Sequence, residues 1–404
     1  MSDMLQENSA KKKFVLLLPW TKLSSAHLVK DVGLFPEYFK NEYGLSAEIV
    51  FTGENETQQE FFHGIKLTAL ENNSGISSAP KVRDFFKFLK FLKIFKNYLK
   101  ADGNQISYLM MFHITSYTWL LSKYARRINP KIKIFVKSDA DSFSRQGWIY
   151  FPEILKIADM VSVETEDFAN SLLKKFPGFS KKIFYVPDGF DDASQEYRAE
   201  PKKENLILSC ARFGTYQKNT ELLLEIFSRV DLKNFKVVFA GSVEKKFQDY
   251  IDSFFEKNTH LTEKIKFIGN VSDRKKIYDL YTKSKIFVIT SRFESFCIAL
   301  MEAAFFGNAI ISTDVGCAKD IKKIAEKYVH IFPRNFDSDS FYSLGGGTLM
   351  EAVNRLQFFI DHDDAAQMDS KTREKIMNLF SMSRIVKSDC FRNFFSQGSA
   401  LHEQ

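Results

Sequence analysis

Cysteine is scarce and scattered in this chain: Cys210, Cys297, Cys317 and Cys390 form no CxxC pair and no metal-ligand spacing. That argues against a disulfide framework or a zinc site and suits a reducing compartment. No apolar run approaches the length of a membrane-spanning helix. The run Phe14-Val15-Leu16-Leu17-Leu18, behind the polar and then basic segment Met1 to Lys13, is too short for a signal core and reads as a first strand. A cytoplasmic protein is therefore expected. Internal repeats and low-complexity tracts are absent. Gly345-Gly346-Gly347 lacks the following Lys-Ser/Thr of a phosphate-binding loop and follows no strand, so a flexible turn is expected there. No Ser/His/Asp nucleophile arrangement, no metal cluster and no nucleic-acid recognition motif is readable, and no nucleic-acid partner is expected.

What is present is a globular composition, 45% apolar and 26% charged. The 42 phenylalanines, in a chain also rich in lysine, read as base-composition bias rather than as function. The net charge of +7 is a mild excess that fits contact with phosphates or anionic lipid. At 404 residues the chain is long for one core, which predicts two domains. Strand-like runs alternate with helical stretches twice over, as in two doubly wound α/β units. The first set falls at 14–18, 47–51, 106–113, 132–137 and 160–164; the second falls near 205–210, 235–240, 264–268, 285–290 and 308–312. Between them Tyr185-Val186-Pro187-Asp188-Gly189-Phe190-Asp191 is turn chemistry, followed by a polar stretch to Asn205 that reads as a linker.

The most informative stretch is Ser291-Arg292-Phe293-Glu294-Ser295-Phe296-Cys297-Ile298-Ala299-Leu300-Met301-Glu302. It follows the buried-strand run Lys285 to Thr290 and places two carboxylates eight positions apart. Glu294 is expected in the loop at the strand's carboxyl end, and Glu302 about two turns into the next helix. In open α/β sheets that rim is where ligands bind, and a helix N-terminus there suits a phosphate. In Cys210-Ala211-Arg212-Phe213-Gly214-Thr215-Tyr216-Gln217-Lys218-Asn219, Arg212 and Lys218 lie on a strand-to-helix loop with Gly214 between them.

These stretches resemble retaining glycosyltransferases of family 4: the first their E-x7-E element, the second their Arg…Lys pair. The resemblance is close over about 185–330 and loose over 14–184. It implies an α/β protein of GT-B fold, two doubly wound Rossmann-like domains facing a central cleft. Residues 1–190, joined by a C-terminal helix at 380–404, form the acceptor side, and 191–379 the nucleotide-sugar domain. Arg212 and Lys218 are implied to clamp the donor diphosphate, Glu294 to meet the donor sugar and Glu302 the ribose. Backbone N–H groups of Phe296, Cys297 and Ile298 are implied to meet the phosphates, although glycine usually stands where Cys297 does. Phe267-Ile268-Gly269-Asn270-Val271-Ser272 resembles the segment that meets the nucleobase, Asn270 and Val271 included. Phe239-Ala240-Gly241-Ser242 and Thr313-Asp314-Val315-Gly316 resemble architectural turns.

In the first half, Lys30-Asp31-Val32-Gly33 takes the place of the family's glycine-rich turn near the diphosphate, with Gly33 as the candidate. His113, closing the strand Ile106 to Phe112, resembles the family's active-site histidine. Either aspartate of Lys137-Ser138-Asp139-Ala140-Asp141 faces the acceptor or caps a helix. No bound cofactor is expected; the implied donor is a UDP- or GDP-linked sugar, and the acceptor a saccharide or glycolipid in cell-surface polysaccharide assembly. The implied mechanism is retention by front-face attack, with the leaving phosphate helping to take the acceptor proton and no metal.

The segment Lys81 to Lys100 forms an amphipathic helix. Phe85, Phe88, Phe91, Leu92, Phe95, Tyr98 and Leu99 share one face, and Arg83, Lys87, Lys90, Lys93 and Lys100 the other, with Phe86 and Ile94 falling in the basic face. It either packs on the sheet or lies on anionic lipid at the inner face of the plasma membrane. A sugar-nucleotide epimerase of the same fold and a non-catalytic, membrane-associated partner are the rival readings.

Overall fold

The structure is a computed structural model that describes residues 11–19, 22–70, 85–103, 105–140, 143, 147–192, 202–333 and 346–396. By internal packing the chain divides into two units, Met1–Asp191 with Ser381–Gln404, and Asp192–Phe380.

The first unit holds an eight-stranded sheet of β1 (Lys13–Leu18), β2 (Ser46–Phe51), β3 (Phe61–Phe62), β4 (Ile65–Ala69), β5 (Ile106–Phe112), β6 (Lys133–Ser138), β7 (Met160–Val163) and β8 (Ile183–Tyr185). The order is β3-β4-β2-β1-β5-β6-β7-β8, parallel except where β3 meets β4. β1 is buried along all but its first residue, as a strand covered on both faces requires. The hairpin β3–β4 and strand β8 were not among the expected strands. The order reverses between β1 and β5, and such switch points open a crevice at the strands' carboxyl ends. His113 is the first residue past β5 rather than its last, with φ of 66°.

Phenylalanine builds much of this core. Phe39 meets the rings of Phe391 and Phe395 at 4.9 and 4.8 Å, and Phe135 meets Phe391 at 5.5 Å. These rings bring the C-terminal segment into the first unit's apolar cluster with Met382, Ile385 and Val386. Instead of one helix from 380, that segment folds as Met382–Val386 and Asp389–Ser396. The Ser381 hydroxyl accepts the Arg384 N–H at 3.2 Å, a fresh N-cap that starts the chain anew after the helix Ser370–Phe380. Residues 397–404 lie outside the described residues.

On the sheet's other side the helix Phe85–Asp102 buries Phe91, Phe95 and Leu99. Lys93, Lys96 and Lys100 are exposed, and Ile94 is half-buried. Residues 81–84 and the side chains of Phe85, Phe86, Lys87, Phe88 and Lys90 lie outside the described set. Gly33 corrects an expectation: it sits inside the helix Asp31–Tyr43, where an added Cβ would lie 1.9 Å from the Leu28 carbonyl oxygen. The glycine is required by the close crossing of its own chain.

The second unit holds β9 (Glu204–Cys210), β10 (Lys236–Ala240), β11 (Ile265–Gly269), β12 (Ser284–Ile289), β13 (Ala309–Thr313) and β14 (Val329–Phe332). All pair in parallel, in the order β11-β10-β9-β12-β13-β14. That is a doubly wound sheet whose order reverses between β9 and β12. Gly346 and Gly347 open the helix Gly346–Asp361 instead of forming a turn, and Gly345 lies outside the described residues. Among the described residues no helix is long and apolar enough to cross a membrane.

Candidate active site

The loops that follow β9 and β12 flank the switch point of the second unit and carry three of the charged candidates, Arg212, Lys218 and Glu294, with Glu302 on the helix beyond. After β9 the chain turns at Gly214, φ 80°, whose N–H donates to Thr220 Oγ1 at 2.8 Å. A Cβ at Gly214 would sit 2.4 Å from Cβ of Phe247, so the tight turn admits no side chain. Asn219, also left-handed and fully buried, closes the loop; its carbonyl and that of Lys218 accept from Thr290 Oγ1 at 3.0 and 3.3 Å. This pins Lys218 against the end of β12.

The Lys218 ammonium and the Glu294 carboxylate form an ion pair. Glu294 also accepts from Ser291 Oγ at 2.6 Å and Gln217 Nε2 at 3.2 Å. Its carboxylate is thus buried but held by a cation and two neutral donors, the condition under which a buried charge persists. Arg212 reaches outward, its side chain 65% exposed and 3.5 Å from Glu244. An exposed cation on the same loop as an anchored one suits a site that must admit and release an anionic ligand.

Beyond Glu294 the chain enters the helix Ile298–Phe305 through Cys297, which has φ of 67°. A cysteine there carries the strain that glycine would avoid. Phe296 is buried against Phe380, and its carbonyl accepts the Cys317 N–H at 2.8 Å. A Cβ at Gly316 would meet that same carbonyl oxygen at 2.1 Å, so the turn after β13 braces the Phe296–Ile298 turn from behind. Burial pushes the Cys297 thiol up to about 12, which keeps it protonated at neutral pH and removes it as a nucleophile.

Arg212, Asn270, Val271 and Glu302 line one cavity of about 290 Å³ at the carboxyl ends of β9, β10 and β11. Gly241 on its wall lets the Ala211 backbone approach closely, since a Cβ there would lie 1.8 Å from the Ala211 carbonyl oxygen. Three further lining residues escaped the sequence reading: Arg274, Tyr281 and Cys210. Arg274 pairs with Glu302, donates to Tyr278 Oη at 2.8 Å and stacks over the Tyr278 ring. Burial, the largest influence, opposes its charge, but Glu302 and Tyr278 together outweigh burial and raise its pKa. Tyr281 and Cys210 are both pushed up by burial, Cys210 to about 12. An arginine opening a helix carries no spacing signal, so nothing in the sequence distinguished Arg274 from a solvated cation.

In the first unit, His113 Nδ1 lies 3.0 Å from Asp139 Oδ2; Asp141 lies outside the described residues. Two residues earlier, Lys137 is buried to 1% and placed 2.7 Å from Asp31 and 2.9 Å from Asp188, and it donates to the Val186 carbonyl at 3.0 Å. Burial and the Asp188 charge raise Asp31 to about 8 against the pull of Lys137, and burial also raises Glu164 beside them. A lysine inside an apolar strand was the available signal for this cluster. Gly33, packed on Leu28, belongs to the chain crossing described above. Among the described residues no group of three or more His, Cys, Asp or Glu side chains is placed to hold a metal ion.

Residues 191–341 match the family described as Glycosyl transferases group 1. The chain is 27% identical over 261 residues to the amylovoran biosynthesis glycosyltransferase AmsD of Erwinia amylovora, covering 63% of this chain and 70% of that one. Among solved structures it is similar to the lipopolysaccharide outer core galactosyltransferase WaaB in its apo form (TM-score 0.68, 15% identity, 95% and 98% of the two chains). It is similar also to HepE of Anabaena, solved with UDP and glucose (TM-score 0.62, 14% identity, 93% and 97%). At those identities the structural likeness shows the fold alone. With the two doubly wound units and the family match across the second, the chain is a glycosyltransferase built on the GT-B fold, similar over residues 191–341 to the group 1 family.

Proposed function

We propose that this enzyme moves a sugar, with retention, from a UDP- or GDP-linked donor to a saccharide or lipid-linked acceptor in cell-surface polysaccharide or glycolipid synthesis, working at the cytoplasmic face of a membrane. The observation that carries this reading is the meeting of Arg212, Asn270, Val271 and Glu302 around one cavity, with the Lys218–Glu294 pair joining the loops after β9 and β12. The names of AmsD and WaaB, both polysaccharide-related, favour the setting, and the UDP bound to HepE favours uridine.

In this reading the nucleoside enters the cavity and Glu302 takes the ribose hydroxyls, sharing its charge with Arg274. Charge grows on the leaving diphosphate as the glycosidic bond breaks. Arg212, Lys218 and the N-terminus of the helix Ile298–Phe305 stabilise it, Lys218 as a cation held in place before the donor binds and Arg212 as one that reaches in from solvent. Glu294 fixes the donor sugar by its hydroxyls, each charge-assisted bond contributing about 1.5–3 kcal/mol. The acceptor hydroxyl attacks from the face the diphosphate leaves, and the departing phosphate oxygen takes its proton. No protein nucleophile is needed, in keeping with the protonated Cys297.

Thermal unfolding in the presence of UDP, GDP, CDP and ADP tests the donor site. A ligand at 100 times its Kd adds about 2.7 kcal/mol to folding stability. One nucleotide raising the Tm of the wild type, with the rise abolished in Arg212→Ala/Lys218→Ala, is the expected result. No rise with any nucleotide removes the donor-site assignment. The anomeric proton coupling of the first identified product then reports retention or inversion.

A further inference from the structure

We propose that Asp139 is a positioning residue for His113, accepting a hydrogen bond from its Nδ1–H so that Nε2 faces outward as a hydrogen-bond acceptor for a saccharide hydroxyl. The inference rests on the reading of His113 as a transfer-site residue, and adds the chemistry of the group that it meets.

Three contacts fix His113. Its N–H donates to the Lys137 carbonyl at 2.8 Å. Its own carbonyl accepts from Thr118 Oγ1 at 2.7 Å. Its Nδ1 lies 3.0 Å from Asp139 Oδ2. The first two hold a non-glycine residue at φ of 66°, a conformation that costs free energy and persists only when its surroundings over-determine it. The ring is not there to fill the core, because its side chain is 44% exposed. One strand end supplies two of the three contacts: β6 gives the Lys137 carbonyl and, two residues on, the Asp139 carboxylate. The Lys137 side chain is locked by Asp31 and Asp188, so the strand end that aims His113 is anchored in the core.

The consequence is chemical. A carboxylate can only accept, so Nδ1 must carry the proton and the neutral ring then offers a lone pair at Nε2. A lone pair meets an O–H, which saccharides present in abundance. It repels a phosphate oxygen, which would require Nε2–H. In catalytic triads a carboxylate that fixes the histidine tautomer works in the same way, without itself taking the proton.

The test uses the full chain with 15N-labelled histidine. Multiple-bond 1H–15N correlations, with the His113 signals identified by their loss in His113→Gln, report which ring nitrogen is protonated. Protonation at Nδ1 is expected at pH 8, with a shift towards mixed tautomers in Asp139→Asn. Turnover of UDP-glucose and GDP-mannose to water, followed as nucleotide release, gives the second readout. Asp139→Asn is expected to lower kcat about tenfold to a hundredfold with the donor KM nearly unchanged, and Asp139→Glu to recover part of the loss. An Nε2–H signal in the wild type overturns the proposal, and so does a normal kcat in Asp139→Asn when His113→Ala is impaired. A normal kcat in His113→Ala removes the underlying reading of His113 as well. The wild-type tautomer measurement needs no variant to fold.

Discussion

Cys297 stands in a left-handed backbone position at the entry to the helix Ile298–Phe305, buried and protonated. Replacement by glycine or by alanine removes the sulfur equally, so the difference between the two isolates the backbone. At ordinary positions alanine is the more stable by about 0.5–1 kcal/mol. Here the order should invert, with Cys297→Gly more stable than Cys297→Ala by about 1 kcal/mol in urea unfolding. An unchanged order would mean that the turn relaxes freely. The places of single residues were legible in the sequence where a strand-to-helix loop could be read, as with Arg212, Lys218 and Glu294 on their loops and Glu302 in the helix that follows. They were illegible where the meaning lay in three dimensions. Gly33 reads as a turn glycine and is a packing glycine, because the neighbour that excludes a side chain, Leu28, is on another turn of chain.

Strand β6 shows how an element can carry structural and chemical duty on its two faces. Lys137 faces a buried pair of aspartates, while its own carbonyl and Asp139 hold His113. Lys137→Met leaves Asp31 and Asp188 without their cation and should cost about 3–5 kcal/mol. The pH dependence follows from the raised Asp31 carboxyl. Its folded value of about 8 exceeds the ordinary 3.8, so the stability that its proton confers is full below about pH 4 and is lost as pH rises through 8. With Lys137 gone the carboxyl rises further, and the variant should lose more stability at pH 8.5 than at pH 5. Equal losses at both would show that the aspartates are solvated after all. Long apolar runs made most strands readable, whereas β3, β4, β8 and β14, two to five residues long, were missed. The break at Ser381 was hidden by apolar spacing that continues across it.

At the scale of the whole chain, the excess of positive charge is partly gathered on the helix Phe85–Asp102. Its buried stripe of Phe91, Phe95 and Leu99 is committed to the core, so contact with lipid falls to Lys93, Lys96 and Lys100, with Leu89 45% exposed. Binding through ammonium groups alone contributes about 1 kcal/mol per lysine and fades with salt. Sedimentation with phosphatidylserine vesicles should therefore occur at low salt, weaken at physiological salt, and vanish in Lys93→Glu/Lys96→Glu/Lys100→Glu. A wild type left in the supernatant at low salt would end the membrane reading. The two α/β units were legible because alternation of strand and helix is written in the chain order. The return of the last helices is not, since it depends on which apolar face receives Phe391, Phe394 and Phe395. That return has a consequence for biogenesis. The first unit draws its core from both ends of the chain, so during synthesis it waits, unfinished, while all 189 residues of Asp192–Phe380 leave the ribosome. The domain made first is the domain completed last, and a premature stop near Ser388 would deprive the N-terminal core of its aromatic lid while leaving the second unit whole.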